Sequence, residues 1–316
     1  MFVTVSICTW NRSALLDQTL NEMHRLQIPP GIDWEILVVN NNCTDNTDEV
    51  IARHVQDLPI RRLFEVTPGL SNARNSAIGV AQGELLLWTD DDVLVAPDWL
   101  SEYVAAARAW PASSFFGGTI DPWFAVEPPT WIRRHMQRLD TYWAVRQLGE
   151  VVRPLEPGEF PFGANVAFRT DVLRRYGFDP GLGNKGWGKT GGDDIDVMER
   201  MIAAGEAGVW VGTARVRHYI PAERLTARYV WRISYGQGQW RVRKGEMDEC
   251  SGTLLLGAPR WLFRKYLEAR LRSLLFAVGG GEAWLDWYIE AAIVKGKIDE
   301  LRKRARNGKA IINKKN

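Results

Sequence analysis

At 316 residues the chain is longer than one small core requires, which predicts a large domain with an appendage. No uncharged apolar run reaches the roughly 18 residues of a membrane span, and FVTVSIC opens as a strand instead of a signal peptide, so a cytoplasmic protein is expected. Cys8, Cys43 and Cys250 are few, odd in number and without CxxC spacing, so neither a disulfide framework nor a zinc cluster is indicated, and the formal charge of +2 is the sum of an acidic body and a basic end.

In chain order, VTVSICT, WEILVVN and IRRLFEV are β-branched runs separated by the helical pattern SALLDQTLNEMHRL and by a helical stretch over residues 46–56, a β-α-β-α-β opening. NARNSAIGVAQG predicts a helix ending at Gly83, and ELLLWT a fully buried strand after it. Strands that alternate with helices build a parallel sheet that binds ligands at the carboxyl ends of its strands. The polar clusters TWNR, NNNCTD and TDDD all fall at such ends. FFGGTIDPWF reads as a strand crossing the sheet, residues 123–160 as irregular and aromatic, and VWVGTARVRH as a strand ending at His218. Trp123, Trp131, Trp143 and Trp187 lie outside the apolar strands, where a flat ring suits a sugar acceptor.

Asp90, Asp91 and Asp92 end the buried strand with no basic residue within five positions. In an extended segment Asp90 and Asp92 project to the same side, and two converging carboxylates at a ligand-binding edge invite Mg2+ or Mn2+ with a diphosphate as further ligand. An acidic loop before a helix capped by Asp98 or Pro97 is the other reading, and it uses few of the carboxylates. GLGNKGWGKTGGDDIDVMERMIAAG is a glycine-rich stretch, read as a lid over bound donor or as a permissive surface loop, followed by Asp193 and Asp194 at the start of a helix. The positive end of that helix dipole is expected to hold both acids ionised, which suits a base.

TWNR (9–12), VVNNNCTDNT (38–47), GLSNARNSAI (69–78), TDDD (89–92), FGANVAF (162–168) and GGDDIDV (191–197) together resemble the ordered motifs of the family 2 inverting glycosyltransferases, over about residues 3–220. The resemblance implies an α/β, GT-A type nucleotide-sugar-binding fold with a mostly parallel central sheet. It implies a catalytic domain over 1–220, with a donor half of about 1–110 and an acceptor half of about 111–220. Residues 221–316 are then a helical, basic C-terminal extension. By the same resemblance Thr9, Asn11 and Arg12 and the loop from Asn40 through Asn42, closed by Asp45, cradle the base and ribose of the donor. The family usually has Asp where this chain has Asn40, and an amide both donates and accepts, so pairing with a uracil imide does not carry over. Asn42 stands where the family often has Gly, and Asn tolerates the left-handed turn.

The resemblance further places Gly69, Arg74 and Asn75 beside the donor, with Asp90 and Asp91 near the ribose or sugar and Asp92 on the metal, Mn2+ or Mg2+. Arg74 serves equally as a structural ion pair with one of the aspartates. His218 is a third metal ligand or a structural histidine, and Asn165 and Trp187 line the acceptor side. Asp194 becomes the general base and Asp193 takes the place usually held by Glu. Arg224, Arg228, Arg232, Arg241 and Arg243 hold phosphate or form a solvated helix face.

The activity so implied is metal-dependent, inverting transfer of a sugar from a nucleotide-diphosphate sugar to a carbohydrate or lipid-linked acceptor in surface polysaccharide or glycan biosynthesis, with no nucleic acid as partner. A sugar-phosphate nucleotidyltransferase would need a Gly-rich loop with Arg and Lys where this chain reads ICTWNRS. A non-catalytic nucleotide- or glycan-binding module would have no use for Asp194 alongside Asp92.

Beyond Gly252, APRWLFRKYLEARLRSLLFAVGG predicts a helix started by Pro259 and stopped by Gly279, and GEAWLDWYIEAAIVKGKIDELRKRAR a second one. Residues 253–316 hold 14 Lys+Arg against 6 Asp+Glu, a net of +8 that leaves −6 for the rest. Either the apolar faces dock on the catalytic domain or another subunit, or the segment lies peripherally on the inner, anionic face of the membrane.

Overall fold

The structure is a computed structural model that describes residues 1–182, 192–247, 249–250, 253–278, 282–307 and 312–313. The described residues up to Ala222 form one compact unit, and those from Glu223 onward form a second.

The first unit is built on one sheet. Strands β1 (Phe2–Thr9), β2 (Asp33–Asn40) and β3 (Ile60–Phe64) alternate with helices α1 (Ser13–Met23) and α2 (Thr47–His54). Helix α3 (Leu70–Val80) leads to β4 (Leu85–Asp90), β5 (Val93–Val95) and helix α4 (Trp99–Ala109). The rest of this unit supplies β6 (Phe115–Phe124), short helices α5 (Thr130–Arg134) and α6 (Met136–Leu139), β7 (Val152–Pro154), β8 (Asn165–Arg169), α7 (Thr170–Tyr176), α8 (Asp193–Ala203) and β9 (Gly208–Ile220). The sheet order is β3-β2-β1-β4-β8-β6-β9-β5, with β7 on β9. Pairing is parallel from β3 to β4 and again between β6 and β9, while β8 runs antiparallel to both β4 and β6. β8 is therefore the hinge of the topology, set between the two parallel blocks.

Alternation along the strands sorts the core into two layers. Val3, Val5 and Ile7 with Ile36, Val38, Leu85 and Leu87 face α1, α2 and α4, whereas Leu37, Val39, Leu86 and Trp88 face α3, α7 and α8. Both faces of the central strands are buried, which is why they read as continuous apolar runs.

Two local expectations change. Helix α3 stops at Val80 instead of continuing to Gly83, because the chain must extend there to enter β4; a side chain on Gly83 would lie 2.4 Å from the Thr4 backbone nitrogen. The TDDD segment is not extended either. β4 ends at Asp90, Asp91 and Asp92 form a turn, and β5 starts at Val93, so the strict alternation that would align Asp90 with Asp92 is broken.

The second unit holds three long helices, α9 (Ala227–Arg243), α10 (Arg260–Val278) and α11 (Trp284–Arg306). Thr226 caps α9 by accepting the Tyr229 N–H. Helices α9 and α11 meet backbone to backbone, since a Cβ on Gly238 would sit 2.0 Å from the Ile293 carbonyl oxygen and one on Gly296 2.0 Å from that of Tyr235. Helix α10 buries Leu262, Ala269 and Ser273 and leaves Leu267, Leu271, Leu274, Leu275 and Val278 57–91% exposed. Past Leu262, Ala269 and Ser273 face inward and the large aliphatic residues outward. No helix among the described residues is long and apolar enough to cross a membrane.

Candidate active site

The ends of β1, β2 and β4 converge, as they must in neighbouring parallel strands, and bring Arg12 to the aspartates that lack a cation in sequence. Arg12 Nη1 lies 3.0 Å from Asp91 Oδ1 and 2.8 Å from Asp92 Oδ2, and Thr9 donates its hydroxyl to Asp91 at 2.8 Å. The pair that shares a cation is thus Asp91 and Asp92, and not Asp90 with Asp92, because of the turn. Burial disfavours charge on Arg12, but Asp91 and Asp92 more than offset it and hold the guanidinium protonated. Burial also pushes the Asp90 and Asp91 carboxyls up, against the pull of Arg74 and Arg12.

The Asn40 loop is closed by its own side chains. Asn40 accepts the Cys43 N–H at 2.8 Å and donates to Asp48 at 2.7 Å, and Arg62 forks onto Asp48. Both functions of the buried Asn40 amide are engaged within the loop, so it fixes the loop's shape. Asn42 takes the left-handed backbone, at φ 61°, as does Asn11 at φ 53°. Asn11 accepts the Thr44 N–H, and Asp45 accepts the N–H groups of Ser13 and Thr47, which ties the TWNR motif to the loop. Asn41 completes the support by accepting the Gly69 N–H and donating to the carbonyls of Glu65 and Thr67. Its signal was present in the NNN triplet, but a buried amide brace cannot be told from a ligand contact by residue type.

Arg74 is buried and pairs with Asp193 at 2.9 Å, with its guanidinium 5.1 Å from the Phe178 ring and 5.8 Å from the Trp88 ring. Its ion-pair partner is on α8, not among residues 90–92. Ser71 also donates to Asp193. Asn75 exchanges hydrogen bonds with the backbone N–H and carbonyl of Phe178, which makes it a brace for the chain entering the glycine-rich stretch.

Asp194, next in sequence, is half-buried and differently held. Its Oδ2 accepts the Gly163 N–H at 2.7 Å and its Oδ1 the Ile195 N–H at 2.9 Å. Glycine suits position 163, because a side chain there would meet Arg74 Nη2 at 2.3 Å. Contrary to the dipole expectation, the Asp194 carboxyl is pushed up from the ordinary 3.8: burial and the neighbouring Asp193 charge outweigh Arg74 and the two amide donors. Asp193 and Asp194 thus form two environments at one helix start, one neutralised by a buried cation and one not hydrogen-bonded to any cation among the described residues.

His218 lies near the end of β9 and is buried. Its Nδ1 is 2.6 Å from the Trp143 carbonyl oxygen, which can only accept, so Nδ1 carries the proton. Its Nε2 then faces Asp92 Oδ1, 3.4 Å away. Two electron-pair donors facing each other in this way fit a shared cation, either a proton or a divalent metal ion. No group of three or more His, Cys, Asp or Glu able to hold a metal is present among the described residues.

Two acceptor-side assignments are corrected. Asn165 is fully buried and saturated: it accepts from Trp99 Nε1 and the Tyr103 hydroxyl and donates to the carbonyls of Thr119 and Ala214. It clamps β8 to β6, β9 and α4 and cannot touch an acceptor. Trp143 is core, packed edge-on against Phe124, and contributes its carbonyl to His218 instead of its ring to a sugar. Trp187 and the glycine-rich run 183–191 lie outside the described residues. In the second unit Arg243 pairs with Glu300 at 2.9 Å, and the cleft along α11 is lined by Asp299, Arg302, Lys303, Arg306 and Asn307, none of them from the six motifs.

A parallel block of strands joined through β8 to a mixed block, with aspartates at the strand ends, is the GT-A fold of glycosyltransferases. The model of Glycosyl transferase family 2 matches residues 4–177, and the chain belongs to that family. A succinoglycan biosynthesis protein, ExoM, of Rhizobium meliloti (strain 1021) is 23% identical over 248 residues, 77% of this chain and 75% of that protein. Among solved structures, the mannosyltransferase PcManGT of Pyrobaculum calidifontis in complex with GDP-Man and Mn2+ superposes with a TM-score of 0.62 at 19% identity, covering 96% of this chain and 87% of that one. S. aureus TarS 1-349 in complex with UDP gives 0.56 at 16% identity, covering 98% and 92%. These two likenesses establish the fold.

Proposed function

We propose that this glycosyltransferase is an inverting enzyme that moves a sugar from a nucleoside diphosphate to a hydroxyl of a glycan or lipid-linked acceptor in surface polysaccharide assembly. The observation that carries the mechanism is the unequal treatment of Asp193 and Asp194. Asp193 is spent on Arg74, whereas Asp194 is half-buried, oriented by two backbone amides and raised in pKa, the properties of a general base. Asp194 takes the proton of the acceptor hydroxyl while that oxygen forms a bond to the anomeric carbon. The bond from this carbon to the diphosphate oxygen breaks on the opposite face, and its electron pair leaves with the diphosphate. Asp92 and His218 would hold a divalent ion, Mn2+ or Mg2+, which when bound supplies charge stabilisation for the leaving diphosphate. Thr9, Asn11, Arg12 and the Asn40–Asp45 loop form the nucleoside side, residues of about 1–110 the donor half, and those of about 111–220 the acceptor half.

The ExoM relative supports a polysaccharide process, and the solved structures bearing GDP-Man or UDP support a nucleotide-linked donor. The outward stripe of α10 supports a peripheral site at an anionic lipid surface on the cytoplasmic side, since the exposed Arg260 and Arg264 extend the line of leucines toward its start and the helix lies within the segment of net +8. Calorimetry with UDP-, GDP- and dTDP-sugars, with and without Mn2+, tests the reading. One base is expected to bind in a metal-dependent way, and no binding of any nucleotide in either condition would overturn it.

A further inference from the structure

Arg146 is held between the two halves of this site. Its backbone N–H and carbonyl both bond to Ile120 on β6, and Ile120 pairs with Val216 on β9, two residues before His218. Three residues earlier the Trp143 carbonyl fixes His218. The side chain points the other way in function: its guanidinium lies 5.2 Å from the Phe162 ring, and the next residue, Gly163, gives its N–H to Asp194. Arg146 is thus tied through its backbone to the Asp92–His218 side and through its side chain to the Asp194 side.

The fold leaves this cation poorly served. Nε of Arg146 is buried with no hydrogen-bond partner, and the guanidinium enters no ion pair among the described residues. The acid whose field it feels, Glu159, is already gripped by both arms of Arg153, at 2.7 and 2.8 Å. A ring face attracts a cation but accepts none of its directed N–H bonds. Burial accordingly pulls its pKa down, the mark of a charge waiting for an anion.

We propose that Arg146 receives an anionic group of the acceptor, a carboxylate or a phosphate ester, and so selects negatively charged acceptors. The inference rests on Asp194 being the base, because the Phe162–Gly163 segment links the cation to the residue that meets the acceptor hydroxyl. The diphosphate is the weaker candidate for this cation, since Arg12 already stands at the strand ends with Asp91 and Asp92.

Saturation-transfer NMR with three probes decides it: methyl glucuronide, glucose 1-phosphate and the neutral methyl glucoside, each titrated into wild type, Arg146→Gln and Arg146→Lys in the presence of nucleoside diphosphate and Mn2+. Wild type is expected to bind at least one anionic probe about tenfold or more tighter than the glucoside. Arg146→Gln should erase that preference, leave nucleotide binding unchanged and melt no lower than wild type, since it removes a poorly compensated charge. Arg146→Lys should retain more of a phosphate preference than of a carboxylate preference, because the bidentate fork is lost. Equal binding of charged and neutral probes, binding of none, or an undiminished preference in Arg146→Gln overturns the proposal. So does a lowered melting temperature with unchanged preference, which would leave Arg146 as a structural stack on Phe162. Nucleotide binding is read in the same samples, so a failure of the donor assignment is seen separately.

Discussion

Replacing Asp193 with alanine should cost stability before it costs chemistry. At 2.9 Å and an effective dielectric of about 20, the Arg74–Asp193 attraction is worth about 6 kcal/mol gross, and desolvation of two buried groups opposes it. Removing the acid does not return the arginine to water. Arg74 stays enclosed by Trp88, Phe178 and Gly163, although Asp194 and Asp90 still act on it through space. Breaking one side of a buried pair costs about 3–5 kcal/mol, and the two remaining acids place the expected loss at the lower end, about 3 kcal/mol. Urea unfolding followed by tryptophan fluorescence measures it. In the Asp193→Ala background, Arg74→Met should recover stability, since a flexible apolar side chain fills the space between the two rings without an unpaired charge. An Asp193→Ala loss below about 0.5 kcal/mol, or additive losses in the double variant, would refute the assignment of a buried pair.

Asp194→Asn should bind donor normally while kcat falls by a factor on the order of 10² to 10⁴, and a smaller effect than that of Asp193→Asn would move the base to the neighbouring residue. The base works ionised and its pKa is raised, so turnover should climb with pH through a value above 3.8 and level off above it; an acid limb at or below 3.8 contradicts the environment described. Asp92→Ala should abolish metal-dependent nucleotide binding and His218→Ala should weaken Mn2+ about tenfold or more, both read by calorimetry, whereas unchanged Mn2+ affinity in both leaves a protonated ion pair. Flotation with liposomes should show recovery that rises with anionic lipid and falls with salt, and Leu271→Glu should reduce it; equal recovery on neutral vesicles, or none with a dimer in solution, makes the α10 stripe a subunit contact.

The first half of the fold was legible because strands buried on both faces and helices with one apolar face carry clear periods, as in β1, β2 and α1. The TWNR, NNNCTD and TDDD motifs were legible for the same reason: they sit where β1, β2 and β4 end. What the sequence did not disclose is pairing across distance. Nothing around Asp91 announces Arg12, and the turn at Asp91–Asp92 is not marked by glycine or proline. Asn165 looked like a ligand residue because an amide amid apolar neighbours is ambiguous until its four partners are seen. The opposite fates of Asp193 and Asp194 depend on Arg74 and Gly163, which approach from different elements. For α10, the apolar residues were evident, but their number does not say which side is turned inward; Ala269 and Ser273 decide that.

The Gly163 crossing has a consequence for how the protein comes into being. Arg74 bonds to Asp193 across 119 residues, Gly163 to Asp194 across 31, His218 to Trp143 across 75 and Thr9 to Asp91 across 82. Contacts of such separation close late, after locally paired strands have formed, because each must first meet the entropy of its loop. The site is therefore expected to assemble late in folding, with the insertion of β8 between β4 and β6. A chain halted before the β9 strand emerges from the ribosome already carries Arg12, Asp90, Asp91, Asp92 and Asp194, yet it lacks His218. Refolding should show secondary structure returning in an earlier phase than activity, with the interval set by that last insertion.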